Sequence, residues 1–163
     1  MKRKVFVIAA TISLYFFSSC SEQVSPTPDK IAEFQLSRVI TGKEAKDFVN
    51  RLHFNSVTTE RNEIAFYRLN NSEAVIYVTF YNNELDSYQN FDKMTKKISP
   101  DNSVFEKGAF LNVKGKRVYQ TFGLGQSHFV FTHKKLLFWI SAENVSAKEF
   151  LISYLEYIEL EDL

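Results

Sequence analysis

Two periods of apolar residues run through this chain, and together they set out most of its elements. The helical period is clearest near the C-terminus. Ala147, Phe150, Leu151, Tyr154, Leu155 and Ile158 fall on one face of a helix. Leu85, Tyr88, Phe91, Met94 and Ile98 repeat at three- and four-residue steps and predict a helix over 83–98, ended by Ser99-Pro100-Asp101-Asn102. Ala45, Phe48, Val49 and Leu52 predict another over 41–52, opened by Thr41-Gly42-Lys43-Glu44 in the pattern of a capping box.

The alternating period gives strands. Residues 33–40, 63–69, 73–81, 109–113, 117–122, 128–132 and 136–142 read as strands, with turn signals at Asn70-Asn71-Ser72, Lys114-Gly115-Lys116 and His133-Lys134-Lys135. The resulting order is βα-ββ-α-ββ-ββ-α. It predicts an α+β fold: a mostly antiparallel sheet with about three helices packed on one face. The first half has the β-α-β-β-α-β order of a ferredoxin-like domain. Such a fold hosts many functions and decides none.

One strand carries more. Along Leu136-Leu-Phe-Trp-Ile140 both faces are apolar, which predicts a central strand covered on both sides. Helices account for one side. Tyr67, Tyr77, Tyr81, Tyr119 and Trp139 are candidates to line the other, as internal packing or as an exposed aromatic binding surface.

The N-terminus breaks both periods. Lys2, Arg3 and Lys4 precede an apolar run from Val5 to Phe17, shorter than the roughly 20 residues of a membrane span and suited to the core of a secretory signal. Phe17-Ser18-Ser19-Cys20 follows, and here the chain resembles a bacterial lipoprotein precursor. The resemblance implies removal of residues 1–19 and a diacylglycerol on the Cys20 thiol. With Ser21, not Asp, next in line, it also implies the outer membrane, facing the periplasm, over the inner one. Two or more acyl chains anchor stably, at about 0.8 kcal/mol per buried CH₂, where one anchors marginally. Cys20 is the one cysteine in the chain, so it has no internal disulfide to make. Residues 20–30, with Pro26 and Pro28, read as the lipidated Cys and a flexible tether reaching at most about 33 Å. Residues 31–163 then form a single domain.

Composition narrows the partners. Without Lys2, Arg3 and Lys4, 17 basic residues face 19 acidic ones, so the mature chain is slightly acidic. That argues against a nucleic-acid or anionic-lipid binder.

Candidate chemistry is sparse. Gly123-Leu-Gly125-Gln-Ser-His128 contains G-x-G, but Phe129 stands where a dinucleotide loop needs its third small residue, and a strand follows instead of a helix. It reads as a tight strand connection, or as a loop offering Gln126, Ser127 and His128 to a ligand. The runs Gly115-Lys-Arg-Val-Tyr119 and Gly123-Leu-Gly-Gln-Ser-His-Phe129 resemble small bacterial envelope proteins, a likeness that implies no mechanism. His53, His128 and His133 share no metal-binding spacing, and no G-x-S-x-G elbow occurs. His53 suits the C-terminal end of the first helix, and His133 a turn.

The expectation is a membrane-anchored envelope lipoprotein acting as a non-catalytic accessory or recognition module, with no cofactor or metal. Its partners are the membrane, through the lipid, and an envelope protein met through one sheet face. The alternative is a carrier of a small apolar ligand in a pocket lined by Tyr119, Phe129 and Trp139. An envelope enzyme comes third and requires Gln126 and His128 to converge in a cleft. The site candidates are therefore Cys20 for lipidation and Tyr119, Gln126, His128, Phe129 and Trp139 for binding.

Overall fold

The computed structural model describes residues 24–52 and 59–163. Cys20, the signal, residues 21–23 of the tether and His53 lie outside the described residues, as does the side chain of Leu52. Eight strands form one antiparallel sheet. They are β1 (Lys30–Ile31), β2 (Phe34–Thr41), β3 (Arg61–Leu69), β4 (Ser72–Phe80), β5 (Glu106–Val113), β6 (Lys116–Gly123), β7 (Gln126–His133) and β8 (Leu136–Glu143). The helices are α1 (Gly42–Leu52), α2 (Glu84–Lys97) and α3 (Ala147–Leu160). The strand order is β1-β2-β3-β4-β8-β7-β6-β5. The α+β class is as the sequence predicts, and so is the element order of the first half. The pairing differs from a split βαβ unit, because β2 and β3 flank α1 yet pair antiparallel as direct neighbours.

The helices do not share one face. Phe150, Leu151, Tyr154, Leu155 and Ile158 of α3 pack with Ile76, Phe129, Phe131, Phe138 and Ile140 on one side. Phe91 and Ile98 of α2 meet Val130 and Leu137 on the other. Ala45 of α1 meets Ile40 and Ile64 on that same side, where Tyr77 of β4 stands opposite Trp139 of β8. β4 and β8 hold the centre of the sheet. This is why β8 is apolar on both faces, as predicted, and why neither face is left free as a broad aromatic surface.

Helix α3 buries the whole predicted stripe. Helix α2 is capped by Asn83, whose Oδ1 accepts from the Asp86 N–H at 2.9 Å. Its buried face, however, runs through Ser87, Phe91 and Thr95. Leu85 (64 % exposed) and Tyr88 (48 %) turn outward. The reason is local. Ser87 Oγ lies 2.7 Å from the Lys134 carbonyl and donates to it, so a small polar side chain, not Leu85, seats the first turn against the β7–β8 turn. Helix α1 lacks the predicted capping box, since Glu44 pairs with Arg38 of β2 at 2.5 Å.

The predicted tether is the largest departure. Pro26 and Thr27 are buried. Three tyrosine hydroxyls hold this strap: Tyr157 Oη donates to the Ser25 carbonyl (2.6 Å), Tyr154 Oη to that of Pro26 (2.7 Å) and Tyr67 Oη to that of Pro28 (3.0 Å). Thr27 Oγ1 donates to Glu63, and the Leu36 N–H to the Asp29 carbonyl at 2.8 Å. Burial raises the pKa of Tyr67 and Tyr154 far above the ordinary tyrosine range, which keeps both hydroxyls as donors. Pro26 and Pro28 have no N–H to leave unsatisfied, which suits a segment pressed onto an apolar face. The folded domain therefore includes Ser25 to Asp29, ahead of β1.

Candidate functional site

The predicted binding residues divide between the two faces. Tyr119 and Trp139 lie on the α2 side, Phe129 on the α3 side. They line no common pocket, because neighbours along a strand point to opposite faces and Phe129 falls out of phase with the other two. Gln126 opens β7, half-buried opposite Gly123. Ser127 turns away from His128, and its hydroxyl donates to Asn144 Oδ1 at 2.7 Å.

His128 is a support. Trp139 Nε1–H donates to His128 Nδ1 at 3.1 Å, so Nε2 carries the proton and donates to the Gly123 carbonyl at 3.0 Å. Burial lowers its pKa below the ordinary 6.5, and the bond to Gly123 offsets this in part. The Phe105 ring packs edge-on to both His128 (4.9 Å) and Trp139 (5.7 Å). A Cβ on Gly123 would come within 2.5 Å of Phe105, so this glycine is set by close approach. Gly125 (φ +79°) with Leu124 (φ +53°) makes a two-residue hairpin turn. The G-x-G segment is thus a strand connection whose histidine locks two aromatic rings.

The exposed chemistry is at the sheet margin. Strand β5 is an edge strand with only Gly108 and Val113 half-buried. Phe110 is 49 % and Leu111 39 % exposed, on opposite sides of the strand. Lys114 (φ +52°) and Gly115 (φ +78°) close the β5–β6 hairpin, and Asn112 Oδ1 accepts from the Gly115 N–H at 3.1 Å. In such a turn Val113 and Lys116 form a hydrogen-bonded pair. Alternation then points the Leu111 and Ala109 amides at β6, and the N–H and C=O groups of Phe110 and Asn112 outward. Only the start of β5 is protected, by a bulge between Glu106 and Ala109 where Lys107 has φ +53°.

Beside the open half stands Arg117 of β6. Its guanidinium lies 4.1 Å from the Phe110 ring centre and 5.3 Å from that of Phe91. It also donates to Tyr88 Oη (3.1 Å) and to Asp92 Oδ1 (3.3 Å). An open groove of about 390 Å³ runs between α2 and the β5–β6 hairpin, past Thr95, Asn102, Phe110 and Tyr119. So the margin offers outward backbone groups, an apolar side chain on each side, and a groove with an arginine held in place.

No family model matches the chain and no curated protein matches it. Among solved structures, the crystal structure of a GTP-binding regulator from Thermotoga maritima is similar over 80% of this chain and 82% of that one, with a TM-score of 0.53 and 13% identity. The likeness is one of fold. No helix among the described residues is long and apolar enough to cross a membrane.

Sequence reasoning missed Phe110, Leu111 and Arg117. Ala109-Phe-Leu-Asn-Val113 was legible as a strand, but nothing in it announces an edge, which depends on the order of all eight strands. The tyrosine clasp did leave a signal. Tyr154 sits in a fully buried stripe, where a hydroxyl requires a partner.

Proposed function

We propose that this protein is a lipid-anchored recognition module of the bacterial envelope, non-catalytic, which takes an extended segment of an envelope protein as a further strand along β5. The observation that carries the reading is the exposed margin at Phe110–Asn112, with outward backbone groups and an apolar side chain on either side. An added strand gains main-chain hydrogen bonds, while alternate side chains meet the Phe110 groove and Leu111. The lipobox-like Phe17–Cys20 supports the anchor, and the slightly acidic composition supports a protein partner over nucleic acid.

The fold neighbour's description as GTP-binding does not extend to this reading. Gly123 to Gly125 closes a hairpin, whereas a phosphate cradle requires a strand-to-helix loop. A photo-crosslinking amino acid at Leu111, in cells, tests the proposal. The expected result is a discrete adduct that disappears with Phe110→Lys, while the melting temperature is kept. An adduct pattern indifferent to Phe110→Lys contradicts it. An adduct of twice the chain's own mass makes the partner a second copy.

A further inference from the structure

The strap and the tether together fix which end of the sheet meets the membrane. We infer that the end formed by Arg61, Phe80 and Lys135 stands against the phospholipid head groups; this rests on the anchor reading above. Val24 lines an open groove of about 610 Å³ at that end, beside Phe80, Leu136 and Leu163. Ser25, Pro26 and Pro28 are pinned by the three tyrosines, so the chain cannot pay out further from the domain. Only Ser21, Glu22 and Gln23 separate Val24 from Cys20. Four residue steps reach at most about 14 Å. A free tether from Cys20 to Lys30 would allow more than twice that.

The far end lies a strand away. β3 runs from Arg61 at the groove to the turn at Asn70 and Asn71, and at about 3.3 Å per residue its nine residues place that turn roughly 30 Å off. The charges at the near end are mixed: Arg61, Lys134 and Lys135 stand with Glu63, Glu84, Glu161 and Asp162. Such a surface complements zwitterionic head groups, which present phosphate and ammonium together. It gives little net attraction, so contact comes from the short tether. One consequence concerns β5. Its open half, Ala109 to Val113, is the half nearer the bilayer, because the β5–β6 and β7–β8 turns share an end of the sheet.

The test uses the intact lipoprotein. Acylation consumes Cys20, so a Lys135→Cys or Asn71→Cys variant carries a single labelling site. Each is labelled with a fluorophore and reconstituted in phosphatidylethanolamine–phosphatidylcholine vesicles that contain a nitroxide head-group lipid. The expected result is quenching several-fold stronger at position 135 than at 71. A flexible Gly/Ser insertion of about ten residues between Glu22 and Gln23, with a typical span of roughly 17 Å, should remove most of the difference without touching the fold. Equal quenching at the two positions, with Cys20 shown acylated by mass, overturns the orientation and leaves the anchor standing. A difference that survives the insertion overturns the short tether as the cause of the orientation. An unacylated Cys20 overturns the anchor and the inference together.

Discussion

The two margins of the sheet are finished in opposite ways. At one, β1 and the strap close off β2 over Phe34 to Leu36, and three buried or half-buried tyrosines fasten the strap from beneath. At the other, β5 is mostly exposed and, past the Lys107 bulge, its outer backbone groups meet no neighbouring strand among the described residues. Buried polar groups cost about 1–3 kcal/mol each when unsatisfied, so the strap's carbonyls had to be matched. The outward groups of Phe110 and Asn112 face water and carry no such penalty. The difference shows that Ala109 to Val113 can be left open at no cost, with outer groups that an added strand can meet.

The largest expected effect comes from breaking the closed margin. Tyr154→Ala opens a cavity under α3 and frees the Pro26 carbonyl, and should lose about 3–5 kcal/mol in a urea melt. Phe110→Ala at the open margin should stay within about 1 kcal/mol of the parent, since its ring is half in solvent. Equal losses at the two sites would dissolve the contrast. Tyr157→Phe removes one hydroxyl from the clasp and should lose about 1 kcal/mol, with faster proteolytic cleavage near Ser25 as the local readout.

A smaller effect depends on pH. The folded pKa of His128 is depressed, chiefly by burial, so the unfolded chain binds more protons between that value and the ordinary 6.5. Its contribution to stability is complete above about 6.5 and is lost as pH falls through that window. His133 acts in the same direction, by burial and by the nearby Lys116. Melting temperature should therefore drop on acidification from pH 7.5 to 5. His128→Gln should reduce the drop and leave the share due to His133. A drop of unchanged size would remove His128 from this account.

Much of the fold was legible in the sequence because burial wrote it in apolar spacing. The Ala147–Ile158 stripe and the two apolar faces of Leu136–Ile140 each had one consistent structural meaning. What escaped was carried by polar atoms. Ser87 and Thr95 define the buried face of α2 in place of Leu85 and Tyr88, because a serine can satisfy the Lys134 carbonyl where a leucine cannot. Pro26 and Pro28 looked like a tether, since prolines favour extended chain whether it is docked or free. The tyrosines that dock it come from β3 and α3, far off in sequence. The candidate site shared this fate. His128 and Trp139 were singled out for separate roles, one in a loop with Gln126 and one in an apolar pocket, and the hydrogen bond between them makes them a brace instead.

The central claim is that β5 is the margin on which a partner docks. Its most direct test is amide hydrogen exchange of the protein in membranes prepared from its own cells, set against the same protein purified in detergent. The account predicts that the outward amides of Phe110 and Asn112 become protected in the membrane sample, while those of Leu111 and Val113, already bonded to β6, change little. Phe110 and Asn112 amides that exchange equally fast in both preparations would contradict it.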